Sequence, residues 1–507
     1  MDLAPHHQTV VHMLQASVHR NPAGSALVFR DVRLTYAQLA ASVTRFAGEL
    51  SALGCAGSRV AVLLPNGADI VIAIYATFTA GAQAVLLNPD YSERELAEIL
   101  DDAKPLAVVT GSQQFAQFEG LLKRIVGHHV LVVGGTTRTL VDTAAPPAPL
   151  ALPKSETLAI LQYTGGTTGR SKGVNLTHRS VATNVIQREA LVPMRMDTER
   201  ILCMTPLFHA YATAMALFPA ALSGASLVVL ERFKPELVFA TVEREQITVF
   251  AGAPSIYNAL VAHPDFRSRD MSSLRVCCSG SAPLSVEVLR RWEEVARAPI
   301  VEGYGLTEAS PVLTFNPQGR PKPGSVGIAV PGTQIQIVDA ADGQTVLEVG
   351  KLGEVRARGP QLMQGYRNRP EETAEMIRDG WIYTGDIGEL DADGYLYIRD
   401  RKKDMVIVGG FNVYPREVDE VLYSHPAILE AAAIGVSDTY RGEVIHACVR
   451  LRPGESVTES GVIEHCAKNL VRYKVPVKVH FVDAIPRTPV GKVDRRALGA
   501  QLRSAAT

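Results

Sequence analysis

The chain has 507 residues, of which 47% are hydrophobic and 20% charged, and its formal net charge is -1 at pH 7. This composition is that of an ordinary globular protein rather than a disordered one. The near-neutral charge gives no electrostatic case for a nucleic-acid partner, which would need a basic excess. Because the length exceeds what one hydrophobic core usually supports, we expect two or more domains.

The cysteines and the N-terminal residues both indicate a reducing compartment. Residues 1–11 show no basic region followed by an apolar stretch, so no signal peptide is visible. Residues 70–87 carry no charge and are about long enough to span a membrane, but Gly81 within them favours a buried helix followed by a short strand. The cysteines lack Cys-x-x-Cys spacing and are best explained as buried free thiols, which predicts a cytoplasmic protein. They are Cys55, Cys203, Cys277, Cys278, Cys448 and Cys466.

Short β runs alternate with helical segments along most of the chain, a pattern typical of parallel βαβ units. Thr35 precedes a long apolar periodicity and is predicted to cap a helix. After about Gly324 the pattern becomes richer in β runs, and beyond the charge cluster at residues 400–404 it predicts a compact α+β module. We therefore predict an α/β protein with a large, multi-layer N-terminal domain over residues 1–400, which has mostly parallel sheets and a β-rich subdomain. Residues 401–507 are predicted to form a small, mobile C-terminal α+β domain.

The segment from Tyr163 to Gly173 has the composition of an anion-binding loop. It contains four glycines, three threonines, an arginine and a lysine. Glycine lets backbone N–H groups converge on an anion, threonine adds hydroxyl donors, and the cations neutralise charge. A Walker A loop needs Gly-Lys-Ser/Thr, whereas here the order is Ser171-Lys172-Gly173. The segment is therefore not a Walker A loop. The simpler alternative is a solvated loop, and an anion-binding loop of this composition indicates a polyphosphate ligand.

Four further segments are compatible with a nucleotide site. Gly280–Pro283 predicts a tight turn whose small residues would let a flat base approach the backbone. Residues 302–308 offer an aromatic face, the Thr307 hydroxyl and a carboxylate, and Tyr383–Asp386 predicts a turn that carries an acceptor for ribose hydroxyls. Lys492 is a cation on a glycine turn. Each segment alone is explained more simply as a solvated turn or a core tyrosine. The hypothesis of a nucleotide site rests on their joint occurrence in this order.

These segments together resemble the ordered signatures of adenylate-forming enzymes, a superfamily of acyl-CoA synthetases, carrier-protein adenylation domains and luciferases. The resemblance spans nearly the whole chain. Within the superfamily the chain is most similar to bacterial long-chain fatty-acid–CoA ligases. Three details carry that finer likeness: Gly165-Gly166, the 302–317 segment, and Asp400 to Met405 leading to Gly410–Pro415.

The resemblance implies that ATP, Mg²⁺ and coenzyme A take part in the reaction. It assigns Lys492 to bridging the carboxylate and the α-phosphate, which suits a point charge on a mobile stem. Thr164 and Glu308 are the implied Mg²⁺ contacts, since Mg²⁺ prefers oxygen ligands. The implied nucleotide-binding residues comprise a phosphate set, an adenine set and a ribose set. They are Thr167, Thr168 and Lys172 for the β- and γ-phosphates; Gly280, Ser281 and Tyr304 around the base; and Asp386 and Arg401 for the ribose, with Thr307 as a further nucleotide-binding residue.

Three further roles and two departures concern the second half-reaction and the loop. The resemblance implies that His209 gates the acyl and thiol channels, that Lys403 is a hinge, and that Gly410 lies beside the pantetheine tunnel. A core histidine and a solvated charge run are the simpler alternatives for the first two. Many relatives have serine where this chain has Gly165, so one possible phosphate-binding hydroxyl is absent here. Proline is usual where this chain has Ser171, which should loosen the loop without removing its charges.

The segments implied to form the acyl pocket are mostly small and apolar, and they contain no cation to pair with a second carboxylate. They are Tyr211, Ala251–Pro254, Val276–Cys278 and Ala309–Leu313. Such a lining favours an aliphatic or simple aromatic tail. We therefore expect an acid–thiol ligase that activates a medium- or long-chain fatty acid as acyl-AMP and transfers the acyl group to CoA.

Several alternatives remain open from the sequence. They are an aryl-CoA ligase, a ligase that loads a carrier protein, and an inactive nucleotide-binding relative. Relatives that use fatty acids dock on membranes as peripheral proteins, but no basic amphipathic helix stands out here. A homodimer is compatible with the resemblance and is not decided by it.

Overall fold

The computed structural model describes residues 7–134, 138–144, 149–164, 171–282, 284–409, 411–438, 440–488 and 493–505. The strands in these ranges are β1 (Ser25–Phe29), β2 (Val32–Thr35), β3 (Arg59–Leu63), β4 (Gln83–Leu86), β5 (Ala107–Gly111), β6 (Val130–Val133), β7 (Leu158–Thr164), β8 (Lys172–Thr177), β9 (Arg200–Cys203), β10 (Ser226–Val229), β11 (Val249–Gly252), β12 (Val276–Ser279), β13 (Ile300–Gly305), β14 (Val312–Phe315), β15 (Ile328–Ala329), β16 (Gln334–Val338), β17 (Gly353–Arg358), β18 (Gly365–Tyr366), β19 (Ile377–Arg378), β20 (Trp381–Leu390), β21 (Leu396–Arg401), β22 (Val406–Val408), β23 (Phe411–Val413), β24 (Ile428–Asp438), β25 (Gly442–Leu451) and β26 (Lys478–Phe481).

The helices in the same ranges are α1 (Val10–Arg20), α2 (Tyr36–Ala52), α3 (Ala68–Thr79), α4 (Glu93–Ala103), α5 (Ser112–Val126), α6 (His178–Glu189), α7 (Ala210–Ala212), α8 (Phe218–Ser223), α9 (Pro235–Glu245), α10 (Pro254–Ala262), α11 (Val286–Ala296), α12 (Pro370–Met376), α13 (Pro415–Tyr423), α14 (Glu459–Asn469) and α15 (Arg495–Ala505). A π-helical stretch, Thr213–Leu217, joins α7 to α8. Short 3₁₀ turns occur at Thr307–Ala309 and Lys402–Asp404, next to two of the predicted site segments.

Two large sheets form the first part of the molecule. Among the described strands, seven lie in the order β18-β8-β7-β4-β3-β5-β6; β3 to β7 run parallel to one another, whereas β8 and β18 add antiparallel pairs at one edge. Nine more lie in the order β15-β14-β13-β12-β11-β9-β10-β1-β2, with a parallel centre and antiparallel edges. The predicted α/β class with mostly parallel sheets is confirmed.

Helix α3 illustrates how the core between the sheets is built. Every residue from Ile70 to Thr79 in it is buried, so the uncharged segment is a core helix as predicted. Gly81 adopts φ +71°, a backbone conformation that favours glycine, and β4 begins two residues later. Over the described part of the chain, no helix has the length and apolarity that crossing a membrane requires.

The remaining sheets account for the β-rich and C-terminal parts of the prediction. Strands β16, β17, β20 and β19 form an antiparallel sheet, to which β21 is added by pairing with β20. Strands β22 to β26 form a separate mixed sheet that packs with α13 and α14 around its own buried cluster. This agrees with a small α+β unit at the C-terminus, and the boundary at residue 400 stays a prediction.

Two local predictions are confirmed. Thr35 caps α2: its side chain accepts from the Gln38 N–H, and the Gln38 side chain accepts from the Thr35 N–H. All six cysteines are buried and free. Burial raises the pKa of each thiol, for example that of Cys203 to about 12 and that of Cys448 to about 11.

Candidate active site

The predicted anion-binding segment lies between two antiparallel strands. Strand β7 ends at Thr164 and β8 begins at Lys172, and these two residues are paired across the ladder. Strand β7 is buried between its two end residues because most of its side chains are apolar. Thr164 therefore lies at the end of a strand that the core holds in place. Residues 165–170 lie outside the described residues, so the predictions for Thr167 and Thr168 cannot be placed.

Lys172 belongs to a network that the sequence only partly predicts. Its ammonium forms an ion pair with Glu372 and lies 5.2 Å from the centre of the Tyr366 ring. The Tyr366 hydroxyl donates to Glu308 Oε1 over 2.7 Å. We call these four residues, Lys172, Glu308, Tyr366 and Glu372, the Lys172 network. It joins the strand after the anion-binding segment to the turn that carries the predicted metal contact.

Two groups of the Lys172 network, Tyr366 and Glu372, have shifted pKa values. Burial, reinforced by the adjacent Glu308 carboxylate, raises the pKa of Tyr366, so its hydroxyl remains a donor. The hydrogen bond from Lys172 lowers the pKa of Glu372, which therefore stays ionised. Glu308 is 8% exposed and lies with Thr307 on the 3₁₀ turn Thr307–Ala309 that follows β13.

A second network surrounds Asp386. The Tyr304 hydroxyl donates to Asp386 Oδ2 over 2.6 Å, and Arg401 Nε lies 3.3 Å from Asp386 Oδ1. Asp386 and Arg401 are register partners in β20 and β21, so sheet pairing alone brings them together. Burial and the neighbouring Asp386 carboxylate raise the pKa of Tyr304. We call these three residues the Asp386 network, and all three were predicted.

The predicted turn at Tyr383–Asp386 is wrong. These residues lie inside strand β20. Gly385 adopts φ +69°, and the pairing of β20 with β17 shifts in register at this point. A glycine in a left-handed conformation thus produces an irregularity within a strand rather than a chain reversal, and it directs Asp386 toward Tyr304.

A glycine is needed at position 280 because the Tyr211 ring packs against it and leaves no room for a side chain. A Cβ atom at this position would lie 2.8 Å from the Tyr211 ring and 3.4 Å from the Gly303 carbonyl oxygen. The Tyr211 hydroxyl lies 3.1 Å from the carbonyl oxygens of both Gly252 and Cys278. Gly280 therefore lets the predicted base-binding turn pack directly on a predicted acyl-pocket residue. Ser281, the next residue, adopts φ +71°.

His209 is half-buried at the start of α7. Its Nδ1 accepts from the Tyr211 N–H over 3.2 Å, which fixes the ring at the helix N-terminus. The adjacent Phe208 carbonyl accepts from the Gln162 side chain over 3.0 Å. Because Gln162 and Thr164 lie on the same strand, β7 connects the His209 segment to the anion-binding segment.

The charge cluster at residues 400–404 is attached to both parts of the molecule. Asp400 accepts from the Arg401 N–H over 2.7 Å and from the Arg416 N–H over 2.9 Å, and burial raises its pKa. Lys402 donates to Glu354 over 2.9 Å, whereas Lys403 is exposed on the Lys402–Asp404 turn. Gly410 and Lys492 lie outside the described residues.

The acyl-pocket segments themselves contain no cation, but an arginine from another element contacts one of them. Those segments are mostly buried, with Ala251 at 1% exposure and Cys278 and Leu313 at 0%. The side chain of Arg188, on α6, reaches the Cys278 sulfur over 3.8 Å. Sequence reasoning missed this residue because it lies in a different element from the segments it contacts.

A family model described as AMP-binding enzyme matches residues 14–367, and one described as AMP-binding enzyme C-terminal domain matches residues 417–492. The chain belongs to this family of adenylate-forming enzymes. It is 36% identical to a long-chain-fatty-acid–CoA ligase of Bacillus subtilis, over 97% of this chain and 94% of the relative. It is also 36% identical to a feruloyl-CoA synthase of an Amycolatopsis species, over 93% of this chain and 95% of the relative.

Among solved structures, ATP-bound MatB of Rhodopseudomonas palustris superimposes with a TM-score of 0.90 at 30% identity, covering 99% of this chain and 100% of that one. The apo form of the same protein superimposes less well, with a TM-score of 0.80. Within its family, this chain is an acyl-CoA ligase, an acid–thiol ligase that uses ATP and CoA.

Proposed function

We propose that the protein activates a medium- or long-chain fatty acid with ATP to form acyl-AMP, and then transfers the acyl group to CoA with release of AMP. One observation carries the proposal: two charged networks suited to a nucleotide flank buried strands whose side chains are small and apolar. The 36% identity to a fatty-acid–CoA ligase over 97% of the chain supports the choice of acid.

The chemistry explains why the charges are needed. A carboxylate is a poor electrophile, and a thiol does not displace oxide from it. Transfer of AMP creates a mixed anhydride with a good leaving group, and negative charge concentrates at the α-phosphorus. Catalysis is therefore mainly positional and electrostatic. In this proposal Lys492 neutralises that charge, while Thr167, Thr168 and Lys172 hold the terminal phosphates.

Glu308 and Thr164 fit a magnesium ion by their chemistry. Both supply oxygen donors, the type that Mg²⁺ prefers, and Mg²⁺ in nucleotide sites keeps only one or two carboxylates. Bound Mg²⁺ would supply charge neutralisation for the phosphates. Glu308 keeps one oxygen bound to Tyr366, which orients its carboxylate.

The Asp386 network suits the nucleoside. Asp386 offers acceptor lone pairs for ribose hydroxyls while Tyr304 and Arg401 hold its carboxylate in place. The hydroxyl of Tyr304 is already used by Asp386, so its ring face is the part that would meet adenine. Gly280 and Ser281 would bound the opposite side.

The superposition of the whole chain favours an adenylation state. The chain superimposes better on ATP-bound MatB than on its apo form, with TM-scores of 0.90 and 0.80. Asp400 holds the first residues of α13 through Arg416. In the proposed cycle, residues 401–507 rotate about Lys403 to bring Gly410 beside the thiol channel, and His209 gates that channel.

A second candidate is an aryl-CoA ligase. The 36% identity to a feruloyl-CoA synthase over 93% of the chain favours it. Tyr211, packed on Gly280 and anchored at Gly252 and Cys278, would bound a flat ring as well as a chain.

The deciding experiment offers purified protein, MgATP and CoA a panel of unbranched acids of increasing length together with aromatic acids. We expect pyrophosphate release and acyl-CoA formation to be greatest with a medium or long unbranched acid. Lys492→Ala is the control and should release no pyrophosphate with any acid. A maximum with the aromatic acids would favour the second candidate, and no ATP consumption with any acid would refute both.

A further inference from the structure

Arg188 is a buried cation with poor partners. It is 0% exposed, near the C-terminal end of α6. Its Nη1 lies 3.4 Å from the Val192 carbonyl oxygen and 3.4 Å from the Glu189 carboxylate, and its Nη2 lies 3.8 Å from the Cys278 sulfur. The buried Nε has no hydrogen-bond partner. This guanidinium therefore lacks a strong acceptor. The lack is costly, because arginine stays charged in proteins and a buried donor without an acceptor loses free energy.

A second arginine shows how this protein satisfies a largely buried guanidinium that serves structure. Arg275 Nε and Nη2 lie 2.8 Å and 2.6 Å from the Glu199 carboxylate. Its Nη1 donates to the Gln318 side chain over 2.9 Å, and Nη2 also donates to the Pro193 carbonyl over 3.1 Å. Every nitrogen of Arg275 therefore has a good acceptor. Arg188 has none at such distances, which a purely structural role does not explain.

The elements around Arg188 are those expected to line the acyl pocket. Cys278, which it contacts, also has its carbonyl oxygen 3.1 Å from the Tyr211 hydroxyl. One turn earlier on α6, the Asn184 side chain pairs with both the N–H and the carbonyl of Val312, over 2.9 Å and 2.8 Å. The inner face of α6 is thus fixed to β14 and reaches β12. Arg188 is therefore a fully buried cation in contact with a strand that is expected to line the pocket.

We propose that Arg188 is a specificity-determining residue that hydrogen-bonds an oxygen acceptor at the far end of the acyl group. The inference rests on the proposed function and narrows its substrate to oxygenated acids, those with a distal hydroxyl or carboxylate. A planar guanidinium matches such acceptors, and a carboxylate can engage two of its N–H groups. A buried site built for a polar group rejects an analogue that lacks it far more strongly than an apolar pocket rejects an added methylene.

Matched acids test this directly. Wild-type protein is given plain alkanoic acids, ω-hydroxy acids and α,ω-dicarboxylic acids of equal carbon number, and cinnamate is compared with 4-hydroxycinnamate. We expect kcat/KM for pyrophosphate release to be at least about 10-fold higher for the best oxygenated acid than for its plain counterpart. Which oxygenated acid is preferred identifies the acceptor. Equal or lower values for every oxygenated acid overturn the inference.

The variants separate recognition from stability. Arg188→Met keeps the length of the side chain and removes its donors, and it should abolish the preference by lowering kcat/KM for the oxygenated acid alone. Arg179→Met, at an exposed position of the same helix, is the matched control and should leave the preference unchanged. Equal losses for both members of a pair would mean a structural role and refute the proposal. If Arg188→Met does not fold, the wild-type comparison decides. If no acid supports ATP consumption, the proposed function fails and this inference falls with it.

Discussion

The two networks of the nucleotide site differ in what their charged groups already bind. In the Asp386 network, the carboxylate is held in place by two donors, the Tyr304 hydroxyl and the Arg401 guanidinium. In the Lys172 network, the cation is already neutralised by Glu372, and both side chains are mostly buried, at 19% and 24% exposure. The Asp386 network is thus organised in advance for its ligand, whereas Lys172 must exchange Glu372 for phosphate when ATP binds.

The largest effect should come from Glu308, because it is the one predicted metal contact that carries a charge. Glu308→Gln keeps an acceptor for Tyr366 but removes the negative charge. We expect ATP–pyrophosphate exchange to fall about 10²- to 10³-fold, the usual size for loss of a preorganised electrostatic contact. Exchange rates measured over a range of Mg²⁺ concentrations would check this. Glu371→Gln is the control, and a loss under threefold for Glu308→Gln would argue against the metal role.

A smaller loss, in this case of ATP binding, is expected from a substitution in the Asp386 network. Asp386→Asn removes a charged acceptor, and hydrogen bonds to charged groups are worth about 1.5–3 kcal/mol. The KM for ATP should rise about 10- to 100-fold with little change in kcat. A 2′,3′-dideoxy-ATP should bind wild type and variant alike, since it lacks the ribose hydroxyls. If the variant weakened both nucleotides equally, Asp386 would not be the ribose acceptor.

The smallest expected effect is an increase in ATP affinity rather than a loss. Glu372→Gln releases Lys172 from its ion pair, so ATP no longer has to displace a competing carboxylate. Since partly exposed pairs contribute about 0.2–1 kcal/mol, ATP affinity should increase about two- to fivefold. Calorimetric titration with ATP in the absence of acid measures this, and Glu371→Gln, an exposed neighbour on α12, should bind like wild type. Weaker binding by Glu372→Gln would mean that Glu372 assists the nucleotide instead.

Sequence reasoning found the residues whose chemistry lies within short contiguous segments. Lys172, Glu308 and Asp386 each stand in a motif whose composition is informative by itself. Tyr366 and Glu372 were missed because their position depends on distant contacts. Tyr366 reaches the site through the antiparallel pairing of β18 with β8, and Glu372 follows on the short helix α12 that begins at Pro370. No local pattern encodes that pairing.

Two further differences have physical causes of the same kind. A glycine before an aspartate predicts a turn, but the neighbouring strands β17 and β21 extend β20 through Gly385. Arg188 stands in no motif that the sequence analysis singled out, and its burial follows from the packing of α6 in the main core. The alternating fold itself was predictable, because it follows from periodicity, helix caps and glycine turns.

The buried cysteines have a consequence for an enzyme whose co-substrate is a thiol. Disulfide exchange needs an accessible thiolate, and here every cysteine is shielded and has a raised pKa. Oxidised CoA therefore meets no nucleophile on the folded protein with which to form a mixed disulfide. The same shielding makes alkylation by a maleimide a direct reporter of unfolding.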